Sequence, residues 1–215
     1  MHNLLISLPD AHSRRVSAFE QLNRCAIGFE WVAGVEASKY KPECLAIDDH
    51  SRNWLKIGEV GCYHGHLQAM RRLVEYGWPY ACILEDDFCF EADPDFGLCE
   101  IEHFLPNEFH FIHLQRNLGM NPRFRNRGKL GLLASNVRTW EGFDRVCETP
   151  FCTSGYIVHR TLAKYILDYE FKCRMPIDHL FAELSYRGLF FMTVRPLIGI
   201  REGLGSDIQN SPVIS

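Results

Sequence analysis

The segment ILEDDF sets three carboxylates, Glu85, Asp86 and Asp87, at the end of a strand-forming run that begins at Tyr80. Side chains on a strand alternate faces, so an extended chain would point Glu85 and Asp87 one way and Asp86 the other. Adjacent like charges repel unless water or a cation neutralises them, and hard cations such as Mg²⁺ and Mn²⁺ prefer oxygen-rich sites. The triplet is therefore either a cation site or a solvated acidic turn. Asp86 is a further ligand if the chain turns, or a strand-end residue fixing that turn.

A second chemical cluster is GEVGCYHGH. Gly58 and Gly61 lie near a helix start, where free N–H groups and the helix dipole suit an anion and glycine permits close backbone approach. Glu59 is equally a favourable first-turn charge. His64 and His66 are two apart, do not share a helix face, and so make a poor two-histidine metal site.

The elements that must position these residues follow from periodicity. LLISL (4–8) reads as a buried strand, and Val16, Phe19 and Leu22 then recur at helical spacing. FEWVAGV (29–35) reads as a second strand, and the polar segment to about Trp54 has no clear period. Val60, Tyr63, Leu67, Met70 and Val74 mark the clearest helix, from Gly58 to Tyr76, stopped by Gly77 and Pro79. Strand YACIL delivers the carboxylates, and a short acidic connection leads to strand FHFIHL (109–114). KLGLLASNVRTW reads as a strand pair or an interrupted strand. GYIVH (155–159) is a strand. Leu162, Tyr165, Ile166 and Tyr169 then mark one helix, and Ile177, Leu180, Phe181 and Leu184 another. LFFMTV (189–194) reads as a final strand, and the tail from Pro196 is aperiodic. This order predicts an open α/β sheet with helices on both faces, and such sheets bind ligands beyond the carboxyl ends of their strands.

A chain of 215 residues suits a single domain. A net charge of −4 and a pI near 6.2 exclude a nucleic-acid binder working by bulk electrostatics. The one basic run, RFRNRGK (123–129), is a solvated loop or an attractor for an anionic acceptor. Nine cysteines, an odd number without a CxxC pair, fit reduced thiols, and no segment reaches the ~20 apolar residues of a membrane span. A cytoplasmic protein is expected, with at most peripheral membrane contact.

Five segments in order, ISLPDAHSRRVSAFEQL, KIGEVGCYHGHLQAMRRL, ILEDDF, TSGYIVHRTLAKYIL with MPIDHLF, and GLGSDIQ, resemble the family 25 glycosyltransferases, the group of lipooligosaccharide and collagen galactosyltransferases. The resemblance implies a GT-A-like open mixed sheet. It also implies inverting transfer of a hexose, galactose above all, from a UDP-sugar with Mn²⁺ or Mg²⁺ to a glycan, lipooligosaccharide or hydroxylated peptide. The donor half would span about 1–115 and the acceptor side about 116–215.

Glu85 and Asp87 would occupy the outer positions of a DxD-like motif, with Glu a departure at the first. The uridine would lie at Ser7 and Leu8, with Arg14 or Arg15 toward phosphate. His66 matches the family's Ser-His, with Gly65 here in place of serine. Thr153, Ser154, Gly155 and Tyr156 would face the sugar. Asp178, otherwise a first-turn carboxylate, would be the base that an inverting transfer needs, with Asp207 its rival as base or metal ligand. Two other functions compete: a metal-dependent phosphoesterase using the triplet with His110 and His113, and a nucleotide-sugar-binding module without turnover.

Overall fold

The computed structural model describes residues 1–90, 98–115, 131–132, 143–146, 152–193, 197–201, 208 and 210–214. β1 (His2–Ser7) is followed by α1 (His12–Arg24), β2 (Glu30–Ala33), α2 (Ile57–Glu75) and β3 (Tyr80–Glu85). The predicted helix at 58–76 is thus met to within a residue at each end. β4 (Phe88–Phe90), α3 (Leu98–Ile101) and β5 (Phe111–His113) come next, then β6 (Gly131–Leu132), β7 (Phe143–Val146) and β8 (Gly155–His159). α4 (Arg160–Tyr169), α5 (Ile177–Ser185), β9 (Phe190–Thr193) and β10 (Ile198–Ile200) complete the order.

Eight strands form one sheet in the order β2-β1-β3-β8-β5-β9-β7-β6. β1 runs parallel to both β2 and β3, whereas β8 is antiparallel to β3 and β5, so the sheet is mixed, as expected. Strand alternation splits the core into two layers. Leu4, Ile6, Ile83, Phe111, Tyr156 and Phe190 pack against α2, α4 and α5, while Leu5, Leu84, Ile112, Ile157 and Phe191 pack against α1 and α3. Helices cover both faces because both faces are apolar.

Two expectations are corrected, and the aperiodic segment before Trp54 is described in more detail. The stretch after the triplet is not merely a connection: β4 pairs antiparallel with β10, which lies in the tail judged aperiodic. Strands of three residues are too short to show a period. The segment before Trp54 contains two 3-10 turns, Ala37–Lys39 and Pro42–Cys44. Strand 109–114 contracts to three residues, so Phe109 and Leu114 lie beyond its ends. The basic run 123–129, Asp207 and most of KLGLLASNVRTW lie outside the described residues.

Gly155 shows how tightly the layers meet. A Cβ there would lie 2.6 Å from Ile198 Cδ1 and 3.1 Å from Leu84 Cδ2, so β10 seats against β8 only because position 155 has no side chain. Gly155→Ala should cost about 1–3 kcal/mol by overpacking. Ile198→Val removes the nearer methyl, so the double variant should lose less stability in thermal melts than the two single losses added. Strict additivity would contradict this contact.

Candidate functional site

Parallel pairing aligns the carboxyl ends of β1 and β3, with Ile6 opposite Glu85. Glu85 is the last residue of β3, and the chain turns at Asp86 and Asp87 before β4. Alternation therefore ends where the carboxylates begin, which corrects the expected opposition of Asp86 to its neighbours. All three line one cavity of about 740 Å³, together with Ser7, Leu8, Arg14, Gly58 and His66.

Each carboxylate is handled differently. Asp86, 8% exposed, accepts a 2.7 Å hydrogen bond from Ser7 Oγ, and its other oxygen lies 3.4 Å from Arg14 Nε. It ties the end of β1 and the start of α1 to the turn. Glu85 Oε1 accepts from the Thr153 hydroxyl and lies 3.3 Å from His66 Nε2. Burial alone would push the Glu85 carboxyl up, but the hydrogen bonds and charge supplied by His66, Thr153 and Arg14 hold it below the usual range. Asp87 differs again. Burial, then the negative charges of Glu85 and Asp86, push its carboxyl up to about 7 despite a hydrogen bond with Ser154, and its buried Oδ1 has no partner. A buried, orphaned carboxylate oxygen beside two more carboxylates fits a hard divalent cation, with Asp87 and Glu85 the residues that would hold it.

The glycines of α2 accommodate the protein itself. Ser211 Oγ accepts the Gly58 N–H at 3.0 Å, Pro212 O accepts the Ile57 N–H at 2.9 Å, and a Cβ at Gly58 would lie 2.9 Å from Ile208 Cα. A Cβ at Gly61 would lie 2.4 Å from the Val35 carbonyl oxygen. The close approach foreseen here is thus made by the tail and by the loop after β2. Ile208, Ser211 and Pro212 form one wall of the cavity. Glu59 Oε2 accepts the Lys56 N–H at 2.7 Å, the capping role of a first-turn acid.

Among the remaining expected residues, Arg14 lines the cavity and Arg15 does not. The Arg15 guanidinium donates to the Leu8 and Pro9 carbonyls and stacks over Trp31 at 4.6 Å. Tyr156 is fully buried, its hydroxyl 2.7 Å from His66 Nδ1. Asp178 is absent from the cavity lining. Its Oδ2 accepts the Cys152 N–H at 3.1 Å and its Oδ1 the His179 N–H at 2.9 Å.

Sequence reasoning missed the frame behind Thr153. Cys152 has φ +93°, a left-handed backbone uncommon outside glycine. Asp178 holds its N–H, and His113 Nε2 donates to its carbonyl at 2.7 Å, while Nδ1 accepts the Gln115 N–H at 3.1 Å. His113 is fully engaged and, by burial, kept neutral. This frame aims Thr153 at Glu85. Cys62 was missed too, although its four-residue spacing from His66 puts both on one face of α2.

The sequence model described as glycosyltransferase family 25 (LPS biosynthesis protein) matches residues 1–181. No curated protein matches. Among solved structures, the chain is similar to protein A197 from STIV, with TM-score 0.47 and 9% identity over 97% of this chain and 98% of that one. It is also similar to a Drosophila beta-1,4-galactosyltransferase 7 mutant in complex with manganese, UDP-Gal and xylobiose, with TM-score 0.43 and 9% identity over 100% of this chain and 74% of that one.

The Asp87 carboxyl carries a sign for stability. A folded-state value raised to about 7 means that the folded protein holds a proton the unfolded chain releases near pH 4, so stability from this group falls as pH rises through that window. In metal-free protein, Asp87→Asn should therefore raise the melting temperature at pH 8 and change it little at pH 4.5, with roughly 2–4 °C expected per kcal/mol. An equal effect at both pH values would remove the burial argument.

Proposed function

The chain belongs to glycosyltransferase family 25 and is a glycosyltransferase, and from that premise we propose that it moves a hexose, galactose first, from a UDP-sugar to a glycan acceptor with inversion. The observation that carries this reading is the cavity at the ends of β1 and β3, lined by Glu85, Asp86 and Asp87 with an orphaned Asp87 oxygen among them. A bound Mn²⁺ or Mg²⁺ would supply Lewis-acid stabilisation of the departing diphosphate. The protein's own groups do the rest. Ser7 and Leu8 offer the end of β1 to the uridine, and Arg14, fixed by Asp86, brings positive charge to the phosphate side. Thr153 and Ser154, buried and outside the cavity lining where a sugar contact was expected, orient Glu85 and Asp87. Asp178 is the candidate base, with Asp207 as the second candidate. The donor half is assigned to about 1–115 and the acceptor side to about 116–215 of a single domain.

The family description favours a lipopolysaccharide-type acceptor over a hydroxylated peptide. Free thiols at Cys25, Cys44, Cys62, Cys82, Cys89, Cys152 and Cys173 are in keeping with a reducing, cytoplasmic setting. Among the described residues no helix is long and apolar enough to cross a membrane. The phosphoesterase alternative is disfavoured because both ring nitrogens of His113 are bonded to backbone, and His110 lines a different cavity with Tyr80, Glu102 and His159.

The test is UDP release from UDP-galactose, with and without a lipooligosaccharide acceptor. Release should rise with acceptor and Mn²⁺, stop with chelator, and be lost in Asp87→Asn together with metal-dependent UDP binding. No release from any UDP-sugar would favour a module without turnover, and phosphate-ester cleavage without a donor would favour the hydrolase. Asp178→Asn at saturating substrates should slow transfer roughly 10²–10⁴-fold with UDP affinity kept. Retention of more than a tenth of the rate would leave Asp178 with its hold on Cys152 and pass the base to Asp207.

A further inference from the structure

We propose that Cys62, His66 and Glu85 form a three-ligand site for a borderline divalent cation, best matched by Zn²⁺, that opens into the cavity and is separate from the carboxylates of Asp86 and Asp87. Cys62 and His66 lie one turn apart on α2, on the face turned to the end of β3, where Glu85 sits. Their ligand atoms, Sγ, a ring nitrogen and a carboxylate oxygen, all lie within 4.8 Å of one another. Zinc bonds of about 2.0–2.3 Å in tetrahedral array put ligand atoms about 3.3–3.8 Å apart. His66 Nε2 and Glu85 Oε1, at 3.3 Å, already stand at that spacing, and the sulfur has a short distance to close.

The surroundings orient these ligands. Tyr156 OH engages His66 Nδ1 at 2.7 Å, which leaves Nε2 as the atom facing Glu85, and the Thr153 hydroxyl donates to the same Glu85 oxygen, Oε1, that faces His66. Metal-ligating histidines and carboxylates are characteristically held by such outer partners. One sulfur, one imidazole nitrogen and one carboxylate oxygen form a donor set too soft for Mg²⁺ and suited to Zn²⁺ or Co²⁺. Three protein ligands at the edge of an open cavity leave a fourth position for water or a ligand group. Burial and the charges of Glu85 and Asp178 keep the Cys62 thiol protonated in the metal-free protein. Binding therefore replaces the S–H bond with an S–metal bond and releases that proton to solvent, and Nε2, which faces Glu85 in the metal-free protein, gives up its proton as it turns to the metal.

Glu85 is shared with the hard-cation carboxylates, so zinc should compete with Mn²⁺-dependent UDP binding. That consequence rests on the proposed function, whereas the metal site itself does not.

The decisive experiment titrates the reduced, full-length protein with Co²⁺ and then Zn²⁺. A near-ultraviolet thiolate-to-cobalt charge-transfer band should appear at one equivalent and be displaced by Zn²⁺. Cys62→Ser should abolish the band and weaken Zn²⁺ binding, measured against a chromophoric chelator, by more than about 10–100-fold. Tyr156→Phe should keep the band while losing affinity within that range, the loss expected of an outer partner. In the unmutated protein, Zn²⁺ but not Mg²⁺ should protect Cys62 from alkylation in peptide maps, a readout independent of how any variant folds. Absence of the band, a band undiminished in Cys62→Ser, or equal alkylation with and without Zn²⁺ would each overturn the site. Absence of Mn²⁺-dependent UDP binding in protein free of Co²⁺ and Zn²⁺, together with an intact cobalt spectrum when Co²⁺ is added, would count against the proposed function alone.

Discussion

Three carboxylates crowded at one strand end, largely out of water, are the constraint around which the rest is arranged. Charges this close would spread apart in solvent, yet the β1–β3 pairing and the turn at Asp86 hold them in one cavity. The protein neutralises them unequally. Asp86 is spent on Arg14 and Ser7, Glu85 is supported by His66 and Thr153, and Asp87 is left with an unmatched oxygen. The deficit falls on the group with the least internal support, as expected of a site completed by something from outside the chain.

Support for that arrangement comes from far away in sequence. Thr153 reaches Glu85 because Cys152 adopts a left-handed backbone, held at its N–H by Asp178 on α5 and at its carbonyl by His113 on β5. A strained residue persists only where its neighbours over-determine it, and here two part-buried hydrogen bonds do so. The aromatic stack of Phe111 on Tyr156 beneath this loop, with centroids 4.9 Å apart, keeps His66 and its partner in register with the sheet. Removing that packing with Phe111→Ala would cost about 3–5 kcal/mol and loosen both sides of the cavity.

Much of this was legible in the sequence, for definable reasons. The three-four repeat from Val60 to Val74 marks α2 because a long amphipathic helix repeats its pattern many times. β1, β3, β8 and β9 announce themselves as apolar runs, and the triplet stands where an α/β sheet places a site. Features carried by single contacts were not legible. Nothing in the letters EDD says that the chain turns at Asp86, nor does a cysteine at 152 signal positive φ. β4 and β10 stabilise each other but are three residues each, and Gly58 looks open to a ligand until the docked tail fills the space above it.

The docking of that tail sets an order in time. Gly58 and Ser211 are 153 positions apart, yet they share a hydrogen bond at the rim of the cavity. During synthesis from the amino end, β1, α2 and β3 emerge long before residues 210–214 exist, so the two strand ends that meet at the carboxylates precede this wall of the cavity. Closing so long a span is entropically costly and is offset among the described residues by the bonds of Ile57, Gly58 and Ile214, the Lys56–Val213 bridge and the buried Ile214 side chain. One wall of the cavity is thus supplied by the chain synthesised last among its lining residues.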